Sequence, residues 1–495
     1  VPSRWISPGG NLVVFASAEA GEGFPPGLAG IGRPPSCRLP NDAGQSDPGL
    51  RRAVGMDDQR LLSIRSPDNS GRTRDGEAMA KTVVIIGTLD TKGQEIGYLR
   101  DRLRALGLNT LVVDAGILGE PVGIQLGPND ISRAEAATYG GTTIQELRQA
   151  GSRGRAVEGM REAIKVLARQ LYAEGRLDAI TCLGGAEGAV MGAAAMMQLP
   201  VGVPKVLVSP IASGKHYFDP LVGHSDIMVV HSIVDILGLN PIATTVFDNV
   251  AAALAGLVEH GHVLPPPEPG DRYVGVTMLG NTTRAVMALK DRLAKGGFEA
   301  VIFHSNGVGG PAMEELAAQG QFVGVVDFTT NEIYDPLVGG IHDGGPDRLK
   351  RIGLLGLPQV VVPGCIDFCV FHAGTIPPAL QGRPIYDHNP EYTLVRASHE
   401  DMVTLGHIFA ERLNLAQGPV VVAVPTRGLS IPNTPGGPFW NPEADAAFLE
   451  VLRRELRPEI PIYTYDLHVN DPEFGRIVAD LFVHLFENRQ EEAIP

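Results

Sequence analysis

From residue 81 onward, short and nearly continuous apolar runs alternate with longer amphipathic stretches. The runs "TVVIIG", "NTLVVDAG", "DAITCLGG" and "PKVLVSPIA" are too short for helices. They also lack the polar alternation of a half-exposed strand, so they predict strands buried on both faces. Between them, "GQEIGYLRDRLRALG" and "AVEGMREAIKVLARQLYAEG" carry apolar residues at helical spacing. Strands alternating with helices predict parallel sheets covered on both sides. Around 260–272, "HGHVLPPPEPGDR" interrupts the pattern with three consecutive prolines and predicts a domain boundary.

After that linker the pattern restarts. "KTVVIIGTLDTKGQEIGYLRDRLRALGLNTLVVDAG" lies over "DRYVGVTMLGNTTRAVMALKDRLAKGGFEAVIFHSNG", with "DRL" at Asp101 and Asp291 and Gly107 on Gly297. "VPKVLVSP" and "LPQVVVPG" form a later matching pair. The expected fold class is α/β with two Rossmann-like parallel-sheet domains, over 79–264 and 271–495, the halves related either by duplication or only by the likeness of any two βαβ units. Residues 1–78 show no sustained periodicity and are rich in Gly, Pro, Ser, Arg and Asp. Such a segment buries too little apolar surface to offset its ordering entropy, so it is expected to be a disordered extension. The alternatives are that "MAKTVVIIGT" marks the true start at Met79, or that the segment is a mobile regulatory arm. "NLVVFASA" is a weak signal-peptide match, being brief and flanked only by Arg4.

Composition narrows the classes. The 495 residues carry 41 Lys+Arg and 56 Asp+Glu, a net charge of −15. Without a basic cluster, no nucleic-acid partner is expected. Four cysteines (Cys37, Cys182, Cys365, Cys369) are too few for a disulfide framework and suit a reducing cytoplasm. No apolar run reads as long enough to span a bilayer, so no membrane association is expected.

In open parallel sheets, ligands bind beyond the carboxyl ends of the strands. The first such loop is Thr88-Leu89-Asp90-Thr91-Lys92-Gly93. Lys92 can meet a phosphate, Thr88 and Thr91 can donate hydroxyls, and Asp90 can hold a metal or cap the next helix. The loop Gly184-Gly185-Ala186-Glu187-Gly188 precedes another helix, with Glu187 either metal-linked or a favourable charge at the helix start. Ser209, Ser213, Gly214 and Lys215 follow the next strand, and Asp226 and Asp235 sit near the ends of later apolar runs.

In the second half, Gly307, Gly309 and Ala312 fit G-x-G-x-x-A after a strand, while G-x-x-x-x-G-K-[ST] occurs nowhere. With Gly310, His304 and His468, these glycines are candidates for a second substrate site. "YDLHVNDPEFG" reads either as a polar site edge or as helix caps at Asn470 or Asp471. Cys365, Asp367, Cys369 and His372 in "PGCIDFCVFH" would share a face only if the stretch were one strand. Buried, inert cysteines are the commoner outcome. "NTPGGPFWNPEAD", with Trp440, reads as a lid or an interface loop.

Together and in order, "IGTLDTKGQE", "LGGAEG", "SPIASG", "SDIMVVHSIVDILGLN", "FHSNGVGGPAMEEL", "PGCIDF", "PGGPFWNPEAD" and "LHVNDPEF" resemble the ATP-binding domain family of the tomato mosaic virus resistance protein. The resemblance runs from about residue 80 to the C-terminus. It implies two Rossmann-like subdomains, ATP with Mg²⁺ and a homodimer. It places Asp90, Thr91, Lys92, Gly184, Gly185 and Gly188 against ATP. Glu187, Ser209, Ser213, Gly214, Val234 and Asp235 are expected nearby. The chain departs from the family at Ala186-Glu187 and at Ser305-Asn306-Gly307.

Three functions follow as expectations. The first is an ATP-dependent enzyme of small-molecule metabolism, an ATPase or a phosphoryl or nucleotidyl transferase. The second is a non-enzymatic, ATP-regulated protein-binding module. The third is a metal-dependent enzyme without nucleotide, built on Cys365, Cys369 or His372.

Overall fold

The computed structural model describes residues 73–74, 77–78, 80–213 and 219–492. Apart from those first four residues, the predicted N-terminal extension lies outside the described residues, as do Met79, Gly214 and Lys215. Strands β1 (Thr73–Arg74) and β2 (Glu77–Ala78) form a short antiparallel ladder.

The first half opens with β3 (Thr82–Gly87), α1 (Leu89–Ala105) and β4 (Asn109–Asp114). Three helices follow, α2 (Arg133–Thr138), α3 (Ile144–Arg148) and α4 (Arg153–Ala173). Then come β5 (Ala179–Leu183), α5 (Ala186–Met196), β6 (Lys205–Ser209), α6 (Asp219–Val222), β7 (Met228–His231) and α7 (Pro241–His260). Its five strands are all parallel, in the order β4-β3-β5-β6-β7. The near-continuous apolar runs have a simple cause. Val84 and Ile86 of β3 enter the core beneath α4 and α5, while Val83 and Ile85 enter the one beneath α1 and α7. A strand covered on both faces has no polar position to spare.

The second half runs through β8 (Tyr273–Met278), α8 (Thr283–Lys295), β9 (Glu299–His304), α9 (Gly309–Ala318), β10 (Gly324–Thr329), α10 (Asp335–Val338), α11 (Arg351–Leu354) and β11 (Gln359–Gly364). An insert of β12 (Phe368–His372), β13 (Ile385–Asp387) and β14 (Tyr392–Arg396) comes next. The chain then returns through α12 (His399–Leu413), β15 (Val420–Pro425), α13 (Pro442–Glu455), β16 (Ile462–Tyr465) and α14 (Pro472–Glu492). The main sheet is again fully parallel, in the order β16-β15-β11-β10-β8-β9. It repeats the winding of the first sheet and adds a sixth strand. The expected α/β class with two parallel sheets is what the chain adopts.

The internal echo has a structural basis. α1 and α8 end in the same cap: Leu108 N–H donates to Leu103 O (3.2 Å) and Phe298 N–H to Leu293 O (3.1 Å). Gly107 (φ 84°) and Gly297 (φ 78°) supply the left-handed residue this cap requires. The Leu of each "DRL" provides the accepting carbonyl. The pair "VPKVLVSP" and "LPQVVVPG" becomes β6 and β11, the fourth strand of each sheet.

Three expectations are corrected. α1 begins at Leu89 rather than after Gly93, because Thr88 is extended (φ −88°, ψ 94°) and Lys92 N–H already donates to Thr88 O at 2.9 Å. The Asp-Thr-Lys motif is therefore the first helical turn. The stretch "PGCIDFCVFH" is not one strand. Cys365 turns the chain with φ 62°, and β12 pairs with β14 in the separate antiparallel insert. Finally, among the described residues α7 is long and apolar enough by length and composition to cross a membrane, contrary to the reading of the runs. Its Phe247, Val250 and Leu254 are buried in the first half's core.

α5 crosses its sheet closely through Gly192. A Cβ there would sit 2.4 Å from both Cβ and Sγ of Cys182 on β5. Gly192→Ala is expected to lower unfolding free energy by about 1–3 kcal/mol through overpacking, measured by urea titration.

Candidate functional site

In the first sheet, the winding reverses between β3 and β5, the position where open α/β sheets leave a crevice at the carboxyl edge. A cleft of about 1120 Å³ lies there. Its walls come from the start of α1 (Asp90–Lys92), the loop after β4 (residues 115–119), the turn from α3 into α4, and the glycine loop after β5 (Gly185–Gly188).

The glycine loop is open. α5 starts on Gly185 with no side-chain cap, and a Cβ on Gly185 or Gly188 would meet nothing within 4 Å. The first-turn N–H groups thus combine with the helix dipole to favour an anion. Gly184 serves the fold instead. Its N–H completes the sheet to Val208 O (3.1 Å), and a Cβ would lie 2.3 Å from Ala189 N. The Glu187 carboxylate accepts from Arg153 Nη2 at 2.6 Å, linking the starts of α4 and α5 at the cleft mouth. That pairing favours the charge-balancing reading of Glu187 over a metal ligand.

The floor is organised by Asp114 at the end of β4. Its Oδ1 accepts from Leu89 N–H (3.2 Å) and Gly116 N–H (2.9 Å), and its Oδ2 from Arg133 Nε (2.7 Å). Burial pushes this carboxyl up, and the Gly116 N–H and the Arg133 guanidinium oppose that shift. Arg133 also donates from Nη1 to Gly119 O, while its buried Nη2 has no hydrogen-bond partner. Asp90 accepts from Gly119 N–H through Oδ2 (3.1 Å). A side chain at Gly116 would be tight, since a Cβ would lie 3.0 Å from both Arg133 Nη2 and Asp114 Oδ1. Arg148 donates from Nε to Ile117 O at 2.7 Å and fixes the loop from the far side.

The structure therefore brings Asp90, Thr91, Lys92, Gly185, Glu187 and Gly188 to one cleft and leaves other candidates outside its walls. Lys92 turns toward the segment after β7, donating to Ile236 O and lying 4.0 Å from Asp235 Oδ1. Ser209 is buried, its Oγ accepting from Ile211 N–H at 3.3 Å. Ser213 is exposed and meets His231 Nε2 at 3.3 Å. Val234 N–H donates to Ser232 O (2.7 Å) in a tight turn, and Asp235 is mostly exposed. Asp226 pairs with the buried Lys205 Nζ at 2.7 Å. Asp114, Gly116, Gly119, Arg133, Arg148 and Arg153 escaped the sequence reading. The spacing Asp114-x-Gly116-x-x-Gly119 directly after a strand was the signal that would have exposed the floor.

The second-half candidates do not form an open site. Glu332 Oε1 accepts from Gly307 N–H (2.8 Å) and Gly310 N–H (3.2 Å), while its Oε2 accepts from Arg348 Nε (2.7 Å). The glycine loop is thus filled by the chain's own carboxylate. A Cβ on Gly310 would fall 2.0 Å from Glu332 Oε2, and one on Gly309 2.0 Å from His304 O. These glycines make room for protein rather than ligand. His304 is exposed at the end of edge strand β9. His468 is pinned, its Nδ1 accepting from Asn470 N–H (3.0 Å) and its Nε2 donating to Ser430 O (2.9 Å). Burial holds it below the usual histidine range. Asn470 Oδ1 caps α8 through Arg284 N–H at 2.8 Å, and Asp471 Oδ1 accepts from Glu473 N–H (2.8 Å) at the start of α14. Both are helix caps.

Among the described residues, no group of three His, Cys, Asp or Glu is placed to hold a metal. Cys365 in the turn after β11 and Cys369 on β12 are both fully buried, and burial pushes both thiols up.

Two sequence profiles match the chain one after the other, each spanning one of the large sheets. "Uncharacterised protein family (UPF0261) N-terminal domain" covers residues 81–262, and the C-terminal domain of the same family covers 271–486. The chain belongs to the UPF0261 family. A UPF0261 protein of Clostridium tetani is 36% identical over 412 residues, 83% of this chain and 100% of that one. Another from Mesorhizobium japonicum is 36% identical over 406 residues, 81% of this chain and 98% of the other. The ToMV resistance protein Tm-1(GCR237) of Solanum lycopersicum is 33% identical over 426 residues, covering 81% of this chain and 55% of the tomato protein. The family thus joins bacterial proteins that match this chain over almost their whole length with a longer plant relative.

Arg348 pairs with Glu314 (3.0 Å), Asp327 (2.5 Å) and Glu332 (2.7 Å), all buried. One guanidinium cannot neutralise three carboxylates, and burial raises Glu314 to about 7 despite the opposing Arg348 charge. Because the folded value exceeds the ordinary 4.5, Glu314 contributes stability in full below about pH 4.5 and loses it as pH rises through about 7. In urea unfolding at pH 5.5 and 8, wild type should lose about 1–3 kcal/mol that Glu314→Gln retains.

Proposed function

We propose that the first-half cleft binds ATP with Mg²⁺ and that the protein is an ATP-dependent enzyme of small-molecule metabolism, an ATPase or a phosphoryl or nucleotidyl transferase, working as a homodimer. The observation that carries this reading is the uncapped start of α5, with open space over Gly185 and Gly188, at the switch point of the sheet. In this reading the N–H groups of residues 185–188 hold phosphate oxygens. Lys92 has two ammonium hydrogens beyond the one given to Ile236 O and supplies positive charge at the rim. The apolar wall of Ile117, Leu147, Val157 and Met191 accepts the base.

The oxygen donors Asp90, Thr88 and Thr91 suit a hard cation and would hold Mg²⁺, which supplies neutralisation of phosphate charge when bound. Asp90 has one carboxylate oxygen committed to Gly119 and the other left for such a role. Arg153 guards the cleft mouth through Glu187.

One observation favours the second reading, an ATP-regulated protein-binding module. Lys92 ties the cleft to the segment 232–240, which exposes Ile233 (63%) and Leu237 (71%). A nucleotide that draws on Lys92 would change how this apolar segment is held.

Calorimetric titration with ATP and Mg²⁺ tests the proposal on wild type and Gly185→Asp. Gly185 has an ordinary φ of −65° and open space, so the fold accepts Asp there, and Asp in place of Gly at an N-cap stabilises a helix start by roughly a few tenths of a kcal/mol. The variant should melt no lower than wild type yet bind ATP on the order of tenfold or more weakly, because its carboxylate takes the anion's place. Equal affinity in the two proteins would remove the cleft as the nucleotide site.

A further inference from the structure

The carboxyl edge of the first sheet carries one pairing that the cleft does not use. Ser213 Oγ and His231 Nε2 lie 3.3 Å apart. Ser213 belongs to the turn after β6, and His231 is the last residue of β7.

The pair sits on a braced frame. Ser209 and His231 are register partners across β6 and β7. Ser232 N–H donates to Ser209 O at 3.2 Å, and Ile211 N–H donates to Ser209 Oγ at 3.3 Å. These bonds fix the turn that presents Ser213 relative to the strand end that presents His231. Ser213 is exposed, so its hydroxyl is accessible.

The same frame adjoins the anion-binding loop. β5 and β6 are neighbours, ~4.8 Å apart. Gly184 N–H at the head of the glycine loop donates to Val208 O, the residue before Ser209. On the other side, His231 begins the segment whose Ile236 carbonyl is held by Lys92 at the cleft rim.

We propose that Ser213 is a phosphoryl acceptor, with His231 as its general base and the nucleotide of the cleft as donor. This rests on the ATP reading above and adds the acceptor that reading lacks. In the step, Ser213 Oγ forms a bond to the γ-phosphorus. The bond from that phosphorus to the bridging oxygen breaks, and its electron pair leaves with ADP. The hydroxyl proton passes to His231 Nε2, which requires the tautomer with its hydrogen on Nδ1. The product is ADP and a phosphoserine that persists until a second substrate takes its phosphoryl group.

The experiment incubates the full chain with ATP and Mg²⁺, reads intact mass and phosphopeptides, and measures ATP binding by calorimetry on the same samples. Wild type is expected to gain one phosphate on Ser213. Ser213→Ala should gain none, and His231→Gln should label about 10²-fold more slowly at neutral pH, its fold checked by melting temperature. ATP binding by wild type with no phosphate on Ser213, or with phosphate only elsewhere, overturns the acceptor and leaves the nucleotide site standing. Labelling of His231→Gln at the wild-type rate overturns the base. Absence of ATP binding by folded wild type overturns the nucleotide reading and the acceptor with it.

Discussion

Several parallel strands in this protein deliver the chain directly into a helix start, and the unpaired N–H groups there are met by the chain itself or left for a ligand. That requirement organises both sheets. At β3, the Asp114 carboxylate from the neighbouring strand meets Leu89 N–H and anchors the floor of the cleft. At α9, Glu332 meets Gly307 and Gly310 N–H and is itself clamped by Arg348. At α5 the chain supplies no side-chain cap. Two starts are satisfied from within and one faces open space, and the candidate site follows from that difference.

Much of the framework was legible in the sequence because it is local. The runs of β3 to β6 are almost wholly apolar, and this alone implies two covered faces. The shared "DRL" reported a real equivalence, since its leucine accepts the same capping bond in α1 and α8. The helix start at Leu89 was misplaced because Asp-Thr-Lys is as polar as a loop. Only the backbone of Thr88 shows that the first turn has already formed.

What escaped the sequence depends on pairs far apart in the chain. Arg133 lies in a stretch without clear periodicity, and its partner Asp114 is 19 residues away. Its importance appears only when α2 packs beside β4. Glu332 is 25 residues from Gly307, so a glycine loop already filled from within looks the same in sequence as one that awaits a ligand. The same blindness applied to "PGCIDFCVFH", where the left-handed turn at Cys365 separates residues that alternation alone would have aligned.

The Glu332 carboxylate has a consequence for how the two halves respond to their surroundings. An anion carried on the chain is present at a fixed effective concentration, whatever the surrounding pool. Dilution, dialysis or a change in metabolite level cannot remove it. The second sheet therefore holds its glycine loop in one state whatever the ligand concentration, while the open helix start of the first sheet remains subject to mass action. Two sheets of the same winding thus comprise one half that is permanently set and one half that can be set from outside.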